Sequence, residues 1–236
     1  MNMSLTPDVP GISLVEELCL LAIEDDGSVA STAGEPAFGM GVVGACLVEL
    51  CLRGRLDADI QPAEDDSGPR TMLLVLSADP TGEPALDEVL QQVAAGPQQS
   101  VVEWTRALFP HAGVLVKLAL DRLQARGIIE SREARFLWVL KSRKYPVIEG
   151  RELQEAKLRI SAVLLGDAIP TPSDSVLIGL ASISGLLRGF LSGSELRRLE
   201  ERILEVGSLD LVARGVERAI EEEVAFRARA MMVPHM

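Results

Sequence analysis

A short basic segment between two aromatic residues is the first candidate for chemistry in the 236-residue sequence. Lys141, Arg143 and Lys144 lie between Trp138 and Tyr145. Basic side chains attract anionic lipid, and Trp and Tyr rings sit at head-group depth. Each basic residue near an anionic leaflet contributes about 1 kcal/mol, so this segment alone would bind a membrane weakly. The pattern predicts a membrane anchor, with an ordinary exposed turn as the alternative.

A second candidate is the pair of arginines on either side of Gly54. A guanidinium has the forked geometry that matches a phosphate group, so Arg53 and Arg55 could grip one. The alternative is structural. Both side chains follow the end of a predicted helix, where they would neutralise terminal carbonyls and the negative end of the helix dipole.

The remaining motifs favour structure over catalysis. Residues 39–44 match the dinucleotide pattern G-x-G-x-x-G, but the small polar stretch at 28–36 does not predict the strand that should precede it. Close helix packing through small residues is the favoured interpretation. The sequence contains no G-x-S-x-G, H-E-x-x-H or G-K-[ST] element, so we expect no enzymatic activity and no cofactor. Three cysteines lie in apolar runs and predict buried side chains in a reducing compartment, with no zinc site: Cys19, Cys46 and Cys51.

Composition restricts the class of partner. Apolar residues make up 47% of the chain and aromatic residues 3%, which excludes a disordered protein and argues against base stacking. A net charge of −12 and a pI near 4.7 argue against nucleic acid. Residues 103–160 nevertheless hold 12 Lys and Arg against 7 Asp and Glu, a local net charge of +5. This region could meet an anionic partner, or it could consist of solvated helix faces with paired charges.

The hydrophobic pattern predicts a mainly α-helical protein with two short β-hairpins. Ser13 and Glu16 form a capping box at the start of the first helix, and Ser100 and Glu103 form another. Phe38–Leu52 is apolar on most sides and predicts a buried central helix. Further helices are predicted around Leu86–Val93 and over Leu115–Ala125, Arg151–Leu165, Val176–Leu191, Glu195–Val206 and Leu209–Ala230.

Two hairpins are predicted between these helices. The first pairs Leu56–Ile60 with Met72–Leu76, and the second pairs Phe136–Leu140 with Tyr145–Ile148 across a basic tip at 141–144. We expect one globular domain over 10–230, with flexible termini at 1–9 and 231–236. Residues 1–10 carry no Lys or Arg and no apolar run, and predict no signal peptide.

Several sequence blocks, taken in order, resemble the Golgi phosphoprotein 3 family. No single block is decisive, but their shared order over about residues 12–190 is fairly specific. The preference for Arg (19) over Lys (4) suggests a bacterial member. The blocks are Ile12–Leu21, the stretch from Gly41 to Leu56 that ends in Glu49-Leu50-Cys51-Leu52-Arg53-Gly54-Arg55-Leu56, Pro80-Thr81-Gly82 with Leu86–Leu90, Arg122–Ile129, and the hairpin from Phe136 to Pro146.

The resemblance implies a helical fold around a buried central helix bundle and a peripheral membrane role through binding of phosphatidylinositol 4-phosphate. It also implies that the hairpin projects and takes part in membrane contact and oligomerisation. The expected partners are therefore an anionic phospholipid surface and, through residues 136–148, further copies of the chain. The expected location is the cytoplasm, with peripheral association at the inner face of the membrane.

The head-group pocket of the eukaryotic members transfers poorly to this sequence. The aromatic and basic positions of that pocket align with Gly34, Val43, Gly113 and Val116, none of which is basic or aromatic. One possibility is that the site is rebuilt from other residues, namely Arg53, Lys117, Arg122 and the basic hairpin. The other is that the pocket has been lost, which would leave a soluble, self-associating scaffold or regulatory protein.

Overall fold

A computed structural model describes residues 11–24, 26–29, 36–62, 69–136, 140–147 and 150–231. Within these ranges the chain is mainly helical, as the hydrophobic pattern predicts. The helices are α1 (Leu14–Leu21), α2 (Pro36–Leu52), α3 (Pro84–Ala95), α4 (Val101–Leu108), α5 (Ala112–Ala125), α6 (Arg151–Leu165), α7 (Pro172–Ile183), α8 (Gly193–Gly207) and α9 (Leu211–Met231). Two 3₁₀ turns lie at Phe109–His111 and Leu186–Gly189.

Helix α2 is the centre of the fold. Its sequence is apolar around the whole circumference, so it can satisfy the hydrophobic effect only if neighbours surround it. Helices α1, α3, α5, α7 and α9 all pack against it. Buried side chains from Leu14 to Ile220 form one continuous hydrophobic core around this helix. The predicted buried central helix is therefore confirmed.

The glycine pattern at 39–44 lies inside α2 and serves helix packing. A Cβ atom at Gly39 would lie 2.7 Å from the Phe109 ring, and one at Gly44 would lie 2.8 Å from Val216. Real Cβ atoms do not tolerate such distances, so glycine allows the neighbouring side chains to approach the helix backbone. The packing interpretation is confirmed, because the pattern lies within a helix and not at a strand-to-helix turn.

Local sequence signals fix the ends of several helices. In both predicted capping boxes the glutamate carboxylate accepts from the backbone N–H of the cap residue, at 2.8 Å for Ser13 and 2.8 Å for Ser100. At the end of α2, Gly54 has φ +64° and Arg55 N–H donates to the carbonyl of Leu50 at 2.9 Å. This is the Schellman arrangement expected of a glycine just past a helix.

The predicted helix over Val176–Leu191 is wrong in its boundaries. Helix α7 begins earlier, at Pro172, where Thr171 caps it, and it ends at Ile183. Gly185 then adopts φ +73°, a left-handed conformation that interrupts the helix before the turn at Leu186–Gly189. Leu187 and Leu191, which follow, remain buried, which explains why periodicity alone joined the two segments.

Both hairpins are present, but the second has a different register from the predicted one. The first pairs β1 (Leu56–Gln61) with β2 (Arg70–Val75). The second pairs β3 (Arg132–Phe136) with β4 (Leu140–Lys144), with Arg132 opposite Lys144. The basic residues predicted at the tip therefore lie along β4. A two-stranded ribbon has no buried interior, so charged residues can occupy its strands.

The cysteines match their predicted role as small buried side chains, with one difference. Cys19 and Cys46 are fully buried, whereas Cys51 is half-buried. Burial raises the pKa of Cys19 and of Cys51 to about 12, which leaves both thiols protonated at neutral pH. No described helix has the length and apolar character needed to span a bilayer.

Candidate functional site

Two of the three predicted head-group residues meet at a single glutamate. Arg53, just past the end of α2, contacts Glu83 at the start of α3, and Arg122 on α5 contacts the other oxygen of Glu83 at 2.7 Å. Arg53 also pairs with Glu49 at 2.8 Å, and Arg122 pairs with Glu16 at 3.0 Å. Arg53 and Arg122, which the sequence analysis placed in one candidate site, are therefore neighbours in the structure.

These contacts form a closed set of opposite charges, which we call the glutamate–arginine cluster. Arg126 completes it, because its guanidinium lies 3.8 Å from Glu16. Since each arginine already has a carboxylate partner, the cluster offers little unbalanced positive charge to a phosphate. Its members are Glu16, Glu49, Glu83, Arg53, Arg122 and Arg126.

Glu16 is the most buried member of the cluster. One carboxylate oxygen accepts from Ser13 and Arg122, whereas the other is buried without a hydrogen-bond partner among the described residues. Burial is the largest influence on this carboxyl group and raises its pKa above the usual value, although Ser13 and Arg122 act in the opposite direction. The cluster therefore holds a carboxylate in an environment that disfavours its charge.

The third predicted head-group residue stands apart from this cluster. Lys117 lies on the exposed side of α5, and its ammonium group pairs with Asp121 one turn later. Of the family pocket positions on described residues, Val43 is fully buried, Val116 is nearly so, and Gly113 is exposed. Gly34 lies outside the described residues. Of the predicted head-group residues and pocket positions in the described part of that region, Lys117 is therefore the surface cation.

The hairpin residues divide into described and undescribed side chains. Lys144 reaches back to the body of the protein, and its Nζ atom lies 2.7 Å from Asp26 Oδ2. Tyr145 is buried, and its N–H donates to the carbonyl of Gly27 at 2.6 Å. These two residues fasten the base of the ribbon to the α1–α2 connection. Lys141 and Arg143 have described backbones only, and Trp138 lies outside the described residues.

A charged cavity lies beside the glutamate–arginine cluster and has a volume of about 280 Å³. Its charged lining consists of Glu17, Glu49, Asp174 and a single cation, Arg159. Three carboxylates against one guanidinium give a negative potential, so this cavity would repel a phosphate. It is not a candidate for an anionic head group.

The sequence prediction named the arginines and missed the glutamates that hold them. Local spacing could have predicted one of these partners, because Glu49 precedes Arg53 by four residues at the end of a helix, and this spacing favours an ion pair. Glu83 lies 30 residues from Arg53, and Glu16 lies 106 residues from Arg122. Contacts over such separations depend on the tertiary fold and leave no signal in local spacing.

The fold is that of a mainly helical protein organised around one buried helix, and the glutamate–arginine cluster lies where α1, α3 and α5 meet the end of this helix. The sequence profile of the Golgi phosphoprotein 3 (GPP34) family matches residues 14–223, nearly the whole chain. The chain therefore belongs to the Golgi phosphoprotein 3 family. None of the curated proteins compared with the chain matches it.

Proposed function

We propose that this protein is a peripheral membrane protein that recognises anionic lipid head groups, with phosphatidylinositol 4-phosphate as the candidate lipid. The observation that carries the proposal is membership of the Golgi phosphoprotein 3 family over residues 14–223. The local excess of basic residues at 103–160 supports it, because the chain as a whole is acidic and would otherwise be repelled by an anionic surface.

The glutamate–arginine cluster limits how this lipid binding can work. Arg53 and Arg122 would have to release Glu83 and its neighbours before gripping a phosphate, and the released carboxylates would be left buried. Lys117 has no such constraint, because it and Asp121 are both solvent-exposed. An exposed ion pair contributes at most about 1 kcal/mol, so Lys117 can exchange Asp121 for a lipid phosphate at small cost.

Co-sedimentation with vesicles tests the proposal. Phosphatidylcholine vesicles would be compared with vesicles containing phosphatidylinositol 4-phosphate and with phosphatidylserine vesicles of matched surface charge, at low salt. We expect more protein in the pellet with either anionic vesicle than with the neutral one, and most with the phosphoinositide. Equal sedimentation with all three vesicles would reject the proposal.

Two matched variants separate a specific contact from general electrostatics. Lys117→Gln removes an exposed cation from an i,i+4 ion pair on α5, and Arg151→Gln removes one from the corresponding pair with Glu155 on α6. If Lys117 meets the head group, Lys117→Gln weakens vesicle binding several-fold more than Arg151→Gln. An equal effect of the two substitutions would remove Lys117 from the site.

The second candidate function is a soluble, self-associating scaffold or regulatory protein. The β3–β4 ribbon favours it, because no third strand pairs with this ribbon in the described part of the chain. Its outer edges keep backbone groups that a second copy of the chain could pair with. This is the interface that the sequence predicts over residues 136–148.

A shortened ribbon discriminates between the two functions. Replacing 134–142 with Asn-Gly joins Glu133 to Arg143 through a two-residue turn and keeps the buried Tyr145 in place. If the ribbon mediates self-association, light scattering gives a lower mass for the variant, while the thermal midpoint changes little. If the ribbon anchors the protein to membranes, vesicle binding falls instead. A variant unchanged in both mass and vesicle binding would exclude the ribbon from either role.

A further inference from the structure

A groove rich in arginine lies on a different part of the protein from the residues considered so far. Its volume is about 480 Å³, within the range of small-molecule sites. Strand β2, helix α4 and helix α9 form most of its walls. Four arginines line this arginine groove, and they come from all three elements: Arg70, Arg106, Arg214 and Arg218.

Among the described residues, the lining holds more basic than acidic side chains, with four arginines against two glutamates, Glu103 and Glu222. Of the four arginines, Arg70 has an interaction of its own. Glu103 is engaged in the capping box, where it accepts from the Ser100 N–H at 2.8 Å and from the Ser100 hydroxyl at 2.7 Å. Glu222 pairs with Arg106 and, at 3.0 Å, with Arg218. Both carboxylates therefore already have partners of their own.

Arg214 is the lining arginine whose side chain takes part in none of these contacts. Its guanidinium makes no ion pair or side-chain hydrogen bond with any residue in the described ranges. Arg214 and Arg218 are one helical turn apart on α9, so both side chains project from the same face. Among the described residues, the Arg214 guanidinium thus keeps all its donors, and the neighbouring Arg106 and Arg218 share one carboxylate. A phosphate has several acceptor oxygens, so it could accept hydrogen bonds from more than one of these groups.

The backbone around the groove also favours an anion. Gly215 allows α9 to approach α4 closely, because a Cβ atom there would lie 2.7 Å from the Cβ of Val101. This approach places the arginines of α9 beside the first turn of α4, which contributes Val101 and Val102 to the lining. The N-terminal end of a helix carries a partial positive charge and attracts negative groups.

We propose that the arginine groove binds a phosphoryl group, as in a phosphomonoester. The groove shares no lining residue with the glutamate–arginine cluster or with Val43, Gly113 and Val116. The phosphoryl group could belong to a lipid head group or to a soluble phosphate ester. Only the lipid source rests on the proposed membrane function, whereas the affinity of the groove for a phosphoryl group does not.

Calorimetric titration of the full chain tests this affinity, with inositol 1,4-bisphosphate and inorganic pyrophosphate as soluble probes. We expect Arg214→Gln to weaken binding of either probe by about tenfold, the effect of losing one charge-assisted hydrogen bond. The matched control is Arg229→Gln, which removes the same charge from the exposed surface of α9 outside the groove. We expect this control to change binding less than twofold.

Vesicles containing phosphatidylinositol 4-phosphate then identify the source of the phosphoryl group. Weaker binding of Arg214→Gln to both vesicles and soluble probes supports a lipid ligand in the groove. An effect on the soluble probes alone supports a soluble ligand, and it counts against a lipid in this groove. The groove assignment is overturned if wild-type protein binds neither soluble probe, or if Arg214→Gln and Arg229→Gln behave alike. Vesicle binding that persists in either case would leave the proposed function intact.

Discussion

Arg159 on α6 holds the carboxylate of Glu17 on α1 with two parallel hydrogen bonds, each 2.9 Å long. The Nε atom of the same guanidinium donates to Asp174 at the start of α7, also at 2.9 Å. One side chain therefore ties three helices together. Glu17 is buried, and this burial raises its pKa despite the opposing effect of Arg159. The ion pair thus compensates a charge that the fold has removed from water.

We expect Arg159→Gln to lower the free energy of unfolding by about 2 kcal/mol, because it leaves Glu17 buried without its cation. The expected loss is smaller than for a fully buried pair, since Arg159 is about two-fifths exposed. The control is Arg151→Gln on the same helix, which breaks only an exposed pair with Glu155 and should cost less than about 0.5 kcal/mol. Urea unfolding at pH 7 measures both. Equal losses would mean that the bidentate contact contributes nothing specific.

Glu83→Gln should destabilise the protein by about 2 kcal/mol. Glu83 is nearly fully buried and is the carboxylate that Arg53 and Arg122 share, so its neutralisation leaves two guanidinium groups short of a partner. The matched substitution is Glu88→Gln on α3, because the Glu88 carboxylate forms no ion pair with a described residue and accepts a hydrogen bond from the neutral side chain of Gln92. Thermal denaturation followed by circular dichroism would contradict this interpretation if Glu88→Gln lowered the midpoint as much as Glu83→Gln.

Glu16→Gln should change how stability depends on pH. Burial raises the pKa of Glu16 above 4.5, so the folded protein binds this proton more tightly than the unfolded chain. The stabilising effect of protonation is complete below 4.5 and is lost as the pH rises through the raised value. Glutamine does not titrate, so the variant lacks this pH-dependent loss of stability. The difference in unfolding free energy, variant minus wild type, should therefore be more positive at pH 7 than at pH 5. Urea titrations at the two pH values check this, and an unchanged difference would show that Glu16 does not titrate in this window.

Gly44→Ala should destabilise the protein by about 1–3 kcal/mol, because the new methyl group would lie 2.8 Å from Val216 in a close-packed interior. Gly189→Ala is the control. No atom of the described residues lies within 4 Å of a Cβ placed at Gly189, and its backbone is not left-handed, so alanine should be neutral or slightly stabilising there. Differential scanning calorimetry of the two variants would contradict the packing argument if their midpoints shifted by the same amount.

Much of the fold was predictable because its signals are local. The capping boxes at Ser13 and Ser100 follow from residues three positions apart, and the end of α2 follows from Gly54. The burial of α2 follows from its uniformly apolar surface. In each case the physical cause acts within one or two helical turns, so the sequence displays it directly.

The second hairpin and the charged sites required the tertiary structure. Apolar residues at 136–140 and 145–148 predicted two strands, but Tyr145 is buried against the body of the protein and the ribbon consists of the polar residues before it. Arg53 and Arg122 were chosen for their charge, and only folding shows that Glu83 lies between them. The arginine groove draws on β2, α4 and α9, and more than 100 residues separate α4 from α9, so no spacing rule could have found it.

The glutamate–arginine cluster has a consequence for how this sequence can vary among its relatives. Three acids and three bases share one partly buried region, so replacing any one of them leaves an uncompensated charge. A second replacement at a contacting position can restore neutrality, which makes the two changes strongly non-additive. We therefore expect Glu83 and Arg122 to covary, being lost together in some lineages and kept together in others.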